Sequence, residues 1–260
     1  MEILDTSPDQ AEIDARLQAL AERHARASNA GIQVLNLIGA QAEGLLDRLP
    51  TQVRGRLGEV TRQSLFAAMD TAHRSRGVVG DNPGWMSRAL TTAMGAAGGV
   101  GGLPSAMAEL PMTTTVLLRA IQDVAVEHGF DPEEQGVRFD CIQVFAAAGP
   151  LENDDGADLA FLSTRLTVTG AAMQALIARV APRLATVLGQ KLAAQTVPVL
   201  GAAAGAATNY AYTSYYQNMA HVHFGLRRLA IEADRDHADL FAAFRGNVTG
   251  VPGVAGTDRG

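Results

Sequence analysis

Polar side chains that could take part in chemistry lie within two of the most apolar parts of the chain. In "AELPMTTTVLLRAIQDVA", residues 108–125, the carboxylate of Glu109 and the guanidinium of Arg119 flank a run of threonines. The chain's one lysine, Lys191, precedes a second apolar part. Burying charged groups is costly unless they find partners, so these residues are expected to act together. The candidate polar cluster consists of Glu109, Thr113, Thr114, Arg119, Lys191, Gln195, Asn209 and Tyr212.

Two interpretations of the candidate polar cluster follow from these residue types. In the first, the cluster is a structural network in which Glu109 pairs with Arg119 or Lys191, and the threonines cap a helix that begins near Pro111. In the second, it is the polar pocket of an enzyme, with Glu109 as general acid or base and Arg119 or Lys191 holding an anionic substrate. An open pocket would favour the enzyme, and a closed ion pair would favour the network.

The sequence contains none of the common catalytic or metal-binding motifs. The patterns "HExxH", "GxSxG", "GxxxxGK[ST]" and "CxxC" do not occur in it. The "HVH" at 221–223 places its histidines two residues apart, where side chains on a helix diverge, so it does not predict a metal site. Cys141 lies on the apolar face of a predicted helix, as expected of an inert buried thiol. We therefore predict no cofactor and no metal.

Helical signals recur along the chain and alternating strand patterns do not, which predicts an all-α protein with a single multi-helix domain. Ser7 is predicted to cap the first helix, and Asp131 to cap a helix that ends at Gly149 and Pro150. Residues 198–234 predict one long helix of about 55 Å. The other predicted helices are 31–49, one outlined by Val53, Leu57, Val60 and Met69, 159–182 and 183–195, and residues 246–260 are predicted to be a disordered tail.

All four tyrosines of the chain lie between residues 210 and 216. Steps of four and three residues from Gly201 place Tyr212 and Tyr215 on one helix face, with Tyr210 outside it. Small residues begin this face and large ones end it, which predicts Gly/Ala-rich central helices that pack closely at one end. The predicted packing face comprises Gly201, Gly205, Thr208, Tyr212, Tyr215, Met219, Val222, Leu226 and Leu229.

Charge and cysteine content limit the class of partner and the compartment. The formal net charge is −6 and the pI is near 5.5, which gives no basic surface for nucleic acid. A single cysteine excludes an intrachain disulfide and is typical of a reducing compartment. The acidic N-terminus lacks the apolar segment of a signal peptide. We expect a cytoplasmic protein that can lie peripherally at the inner face of the membrane.

Two uncharged runs, residues 89–108 and 197–211, raise the question of contact with a bilayer. Trp85 lies just before the first run. Glycine, threonine, serine and proline dilute the runs, so neither is expected to span a membrane, because a spanning helix needs about 20 predominantly apolar residues. Packing inside the protein is the favoured interpretation, and shallow contact with a bilayer or a hydrophobic partner is the alternative.

Four long motifs resemble the EcsC family of bacterial proteins: "GGLPSAMAELPMTTTVLLRAIQDVA", "RFDCIQVFAAAG", "KLAAQTVPVLGAAAGAATNYAYTSYYQNMA" and "HFGLRRLA". The resemblance implies an EcsC-like all-α domain over residues 30–245. The helical spacing of Ile13, Leu17 and Leu20 predicts an amphipathic helical extension over residues 1–29. The positions that match the family include Glu109, Pro111, Thr113, Thr114, Arg119, Lys191, Gln195, Pro198, Gly201, Gly205, Asn209, Phe224 and Arg227.

The family is named for a gene beside an ABC transporter and is sometimes labelled a hydrolase or protease. The matching positions do not form a nucleophile with its base or a site for a metal-bound water. We therefore expect a non-catalytic, transporter-associated accessory module that engages a membrane surface, a lipid or a membrane-protein partner. The alternative is a hydrolase-like enzyme that uses Glu109, Arg119 and Lys191. No motif predicts an oligomeric state.

Overall fold

The computed structural model describes residues 7–38, 46–79, 84–145, 170–195 and 201–250, with most of their side chains. These ranges contain seven α-helices, one short 3₁₀ turn and no β-strand, which confirms the predicted all-α class. The helices are α1 (Gln10–Ile38), α2 (Thr51–Val79), α3 (Gly84–Glu127), α4 (Gln135–Val144), α5 (Gly170–Gln195), α6 (Gly201–Glu232) and α7 (His237–Gly250).

Helix α6 is the central element, because α1, α3, α4, α5 and α7 all pack against it. Tyr212 and Tyr215 of the predicted packing face are each 1% exposed, and Tyr210 is 51% exposed, as the helical period predicts. Tyr216 lies outside that face and is also buried, since a helix surrounded by others buries more than one stripe. The surroundings of Gly201, Gly205 and Thr208, on the same predicted face, lie outside what the structure describes.

Helix α3 folds back on itself. Arg88, near its beginning, donates from Nη1 to Oε1 of Gln217 at 2.6 Å, and His128, just after its end, lies 3.1 Å from His221. The two contacted residues are one turn apart on α6, whereas a straight helix would separate residues 88 and 128 by about 60 Å. The glycines and proline of segment 98–104 lie between the two ends, and such residues are where helices bend.

Two predicted helix starts are wrong by a few residues. The cap of α1 is Asp9 and not Ser7, because Oδ1 of Asp9 accepts a hydrogen bond from the backbone N–H of Glu12 at 2.8 Å. Oδ1 of Asp131 accepts from the N–H of Glu133 at 2.8 Å, which forms a turn before α4 and is not a helix cap.

Two predicted helix breaks are also wrong. Helix α1 runs on through residue 31 to Ile38, where a separate helix was predicted. Helix α5 continues through Pro182, which was predicted to end it. Pro182 is on the exposed side of α5. The backbone carbonyl that loses its N–H partner there can accept a hydrogen bond from water instead. The segments predicted for residues 146–169 and 196–200 lie outside the described residues.

The predicted boundaries between domain and extensions can be placed on the helices. Residue 30, the predicted start of the EcsC-like domain, falls within α1, and Ile13 and Leu17 from the predicted extension belong to the hydrophobic core. Helix α7 ends at Gly250 and so includes the first part of the predicted tail. Residues 251–260 lie outside the described residues. Helix α1 thus packs as part of the main helical body, against α6 and α7.

Candidate functional site

Three members of the candidate polar cluster meet where α3, α5 and α6 come together. Nζ of Lys191 donates to Oγ1 of Thr113 at 3.2 Å, and the two residues are 1% and 2% exposed. The hydroxyl of Tyr212 donates to the carbonyl oxygen of Val187 at 3.1 Å, one turn before Lys191 on α5. One turn of α5 is therefore hydrogen-bonded to a side chain of α3 and to a side chain of α6. Each of these buried polar groups thus has the hydrogen-bond partner that burial requires.

Other members of the cluster are hydrogen-bonded within their own helices. Oγ1 of Thr114 donates to the carbonyl oxygen of Leu110 at 2.8 Å, so this threonine does not cap a helix as predicted, and α3 runs on through Pro111. Nε of Arg119 donates to Oδ1 of Asp123 at 3.0 Å, one turn along α3. Asp123 is a partner that the sequence analysis did not include.

The described members of the cluster form no open pocket. Arg119 is the most exposed of the described members, at 7%, and the others are at most 2% exposed. A substrate in solution cannot reach such groups without local opening, so this arrangement suits a polar seam between helices. The side chains of Glu109 and Gln195 lie outside the described residues.

A second polar site, which the sequence analysis missed, lies between α1, the end of α3 and α6. It is a cleft of about 460 Å³, within the range of small-ligand sites. Three arginines and two histidines line it, with a single glutamate. We call it the Arg–His cleft, and its lining residues are Arg16, Ala19, Leu20, Arg23, Arg26, Glu127, His128, His221 and Gly225.

The three arginines of the Arg–His cleft differ in their partners. Nη1 of Arg16 lies 2.7 Å from Oε2 of Glu232, so its charge is largely offset. Arg23 and Arg26 make no hydrogen bond or ion pair with any residue in the described part of the chain. Burial lowers the pKa of Arg23, and the like charge of Arg26 lowers it further, while Glu127 opposes this. Among the described residues, Arg16 therefore has a carboxylate within hydrogen-bond distance, and Arg23 and Arg26 do not.

The two histidines of the cleft are neutral at neutral pH. Burial is the largest cause that lowers the pKa of His221, to about 3, and the charges of Arg23, His128 and Arg88 add to it. Burial also lowers the pKa of His128, followed by the charges of Arg23 and Arg16. Nε2 of His128 and Nδ1 of His221 lie 3.1 Å apart and share one hydrogen bond.

Two glycines position the walls of the cleft. Gly129 has a φ of 78°, and the N–H of Phe130 donates to the carbonyl oxygen of Ala125 at 3.0 Å. This turn ends α3 with a glycine in the left-handed region and leaves His128 facing α6. A Cβ on Gly225 would lie 2.8 Å from Cδ2 of Leu20, so the glycine allows α1 to approach α6 closely.

A pattern in the sequence could have revealed the cleft. Arg16, Arg23 and Arg26 follow one another at steps of seven and three residues, which places them on one side of a helix. Residues 1–29 were predicted to be an extension outside the domain that contains His221. His128 follows α3, and only the fold-back of that helix brings it to the same place.

The second histidine of "HVH" belongs to a different contact. Nε2 of His223 lies 3.6 Å from Oδ1 of Asp140, and Arg227 forms an ion pair with the other carboxylate oxygen. Burial alone would raise the pKa of Asp140, but the nearby His223 and Arg227 outweigh it and lower the pKa. The guanidinium of Arg227 also stacks 4.4 Å from the ring centre of Phe130. This contact joins α4 to α6.

Residues 84–229 match the model of the EcsC protein family, from the beginning of α3 almost to the end of α6. The match covers more than half of the chain. It includes the candidate polar cluster and the residues of α3 and α6 that line the Arg–His cleft. The chain belongs to the EcsC family. No curated protein and no solved structure has a significant match to it.

Among the described residues, no group of three or more His, Cys, Asp or Glu side chains could hold a metal ion. One described segment, Gly170–Ala193, is long and apolar enough to cross a membrane by length and composition. Of its most apolar 18-residue window, 44% is buried inside the protein.

Proposed function

We propose that this EcsC family protein is a non-catalytic accessory module that works at the cytoplasmic face of a membrane. It engages the bilayer surface, a lipid or a membrane-protein partner through the helices that carry the two uncharged runs. Residues 89–108 belong to α3, and residues 201–211 of the second run belong to α6. Insertion of this kind depends on apolar area and tolerates a net-negative chain.

The observation that carries this proposal is the exposure of large apolar side chains on the same two helices. Met112, four residues beyond the first run, is 61% exposed. Tyr210, inside the second run, is 51% exposed. Tyrosine is favoured at bilayer interfaces because its ring is apolar and its hydroxyl reaches water. The partly buried, apolar segment Gly170–Ala193 adds apolar surface of the same kind.

The enzyme alternative has less support from the described residues. Lys191 is hydrogen-bonded to Thr113 and Arg119 to Asp123, all four of them buried, where an enzyme needs groups that reach a substrate. This arrangement favours the structural interpretation of the cluster, and the enzyme with Glu109 as acid or base stays an untested prediction.

Vesicle flotation with neutral phosphatidylcholine tests the proposal. The wild-type protein should float with the vesicles, and raising the salt concentration should not release it, because the contact is apolar. The double variant Met112→Ser, Tyr210→Ser should lose at least about tenfold in partitioning, since each side chain contributes about 1 kcal/mol or more when buried.

Phe66→Ser is the matched control for this experiment. Phe66 is 37% exposed on α2, which carries neither of the uncharged runs, so its loss should leave flotation unchanged. Trp85→Ala is expected to weaken flotation, because Trp85 lies at the beginning of α3 just before the first run. A wild-type protein that floats with no vesicle composition and associates with no membrane fraction would sink the proposal.

A further inference from the structure

We propose that the Arg–His cleft is a binding site for a phosphate group, either as free inorganic phosphate or as the phosphomonoester headgroup of a lipid. Neither the family match nor the proposed membrane contact assigns a ligand to this cleft. The inference does not rest on the proposed function, because the cleft is built from charged side chains and the membrane contact from apolar ones.

The arginines of α1 have the spacing that a multiply charged anion requires. Arg23 and Arg26 are three residues apart, so their Cβ atoms lie about 5–6 Å from each other on one side of the helix. Arg16 is two turns earlier, about 10 Å along the axis from Arg23. Two neighbouring guanidinium groups can therefore bracket one tetrahedral anion.

The two guanidinium groups at the centre of the site have no competing carboxylate in contact. Arg16 is bound to Glu232 at 2.7 Å, but Arg23 and Arg26 have no hydrogen bond or ion pair with any described residue. Arg23 is partly buried and is repelled by the like charge of the exposed Arg26, and an anion between them relieves the repulsion. Bidentate hydrogen bonding makes arginine the preferred side chain for phosphate.

The wall opposite α1 carries two neutral imidazoles and one carboxylate. His128 and His221 line it and stay uncharged at neutral pH, while Glu127, 3.7 Å from Nε2 of His221, is the one carboxylate of the lining. With the charge of Arg16 offset by Glu232, Arg23 and Arg26 stand against the single glutamate of the lining, which leaves an excess of positive charge. A phosphate dianion has three or more oxygen acceptors, enough for guanidinium groups on one wall and an imidazole N–H on the other.

The same charges argue against a cation as the ligand. Two neutral imidazoles 3.1 Å apart at their nitrogens are a common beginning of a metal site. The charges of Arg23 and Arg88 act on His221, and those of Arg23, Arg16 and Arg228 act on His128, where Glu232 opposes them in part. A divalent cation between the imidazoles would meet all of these positive groups, so an anion is the ligand that the field favours.

Titration with inorganic phosphate, followed by calorimetry and by ³¹P line broadening, tests the site. Wild-type protein should bind phosphate saturably with one site per chain. Arg23→Gln and Arg26→Gln should each weaken binding by about tenfold or more, because each removes a charge-assisted hydrogen-bond donor. Arg179→Gln, which removes an exposed arginine of α5 outside the cleft, is the matched control and should bind like wild type.

A second variant tests the cleft without removing an arginine. Ala19 is exposed and lines the cleft, so Ala19→Glu places a carboxylate beside the arginines with little expected effect on folding. It should weaken phosphate binding by at least tenfold, while Ala11→Glu, on an exposed position of α1 outside the lining, should not. Circular dichroism and urea denaturation confirm that each variant is folded.

Vesicles distinguish the two sources of phosphate. Phosphatidylcholine vesicles with and without phosphatidic acid are compared for wild type and Arg23→Gln. Added affinity for phosphatidic acid that Arg23→Gln abolishes identifies a lipid headgroup as the ligand. Binding of free phosphate with no such gain on vesicles identifies a soluble phosphate. No saturable binding of either probe, or binding that neither Arg23→Gln nor Ala19→Glu weakens, overturns the site. Flotation on neutral vesicles is read separately and does not depend on these arginines.

Discussion

Acidification from pH 7 to pH 5 should destabilise the protein through His221. Burial, with the charges of Arg23, His128 and Arg88, lowers the pKa of this imidazole to about 3, and Glu127 at 3.7 Å does not offset them. The unfolded chain has a histidine pKa of about 6.5 and so binds the proton that the folded state excludes. Stability contributed by the neutral imidazole is therefore complete above pH 6.5 and is lost as the pH falls from there towards 3. At about 1.36 kcal/mol per pH unit, the loss at pH 5 is about 2 kcal/mol.

Urea denaturation of wild type and His221→Gln at pH 7, 6 and 5, in a buffer without phosphate, measures this loss. Between pH 7 and pH 5 the wild type should lose about 2 kcal/mol more than the variant. The lowered pKa of His128 adds a loss in both proteins. Asp140, whose folded pKa is below its usual value, contributes stability that is lost only at more acidic pH. His237→Gln controls for removal of a histidine outside the cleft. Equal pH dependence in wild type and His221→Gln would refute the reasoning.

Three further predictions concern stability and are checked by chemical denaturation. Tyr212→Ala should lower the free energy of unfolding by about 3–5 kcal/mol, because it removes a buried ring and its hydrogen bond. Tyr210→Ala should change it by no more than about 0.5 kcal/mol. Similar small effects at both positions would contradict the packing of α6. Gly129 and Asp234 both have positive φ, which glycine adopts without strain and other residues do not. Gly129→Ala should therefore lower the free energy of unfolding by about 1 kcal/mol, and Asp234→Gly should raise it by up to about 1 kcal/mol. Changes of the same sign would argue against these turns. Gly205→Leu should cost about 1–3 kcal/mol if another helix crosses closely there, and an unchanged stability would exclude that crossing.

The class of fold could be predicted because the apolar residues repeat at the helical period over most of the chain. The face of α6 with Tyr212 and Tyr215 follows from that period alone. Helix ends were less predictable, since the rules for proline assume that its missing N–H is costly. Pro182 is exposed within α5, where water can take the place of a backbone partner. Local patterns therefore predict that the helices exist, but they do not predict where one helix ends and the next begins.

The candidate polar cluster could be predicted from the sequence around each residue, and the Arg–His cleft could not. Lys191 and Thr113 belong to one predicted polar cluster and are in contact, but the partner predicted for Lys191 was Glu109, and Thr113 was predicted to cap a helix. The Arg–His cleft was missed because its histidines, at 128 and 221, are 93 residues apart in sequence. They meet only because α3 doubles back along α6, a property of the whole packing that no short motif encodes.

Fluorescence of Trp85, the single tryptophan of the chain, tests the proposed membrane contact most directly. Trp85 is the second residue of α3, just before the uncharged run 89–108. Neutral vesicles that contain lipids brominated along the acyl chain quench a tryptophan only when it enters the interface, where aromatic rings are favoured. The account predicts a blue shift of the emission and quenching by the brominated lipid, both reduced in Met112→Ser, Tyr210→Ser. An emission spectrum that saturating vesicles leave unchanged, with no quenching, would contradict it.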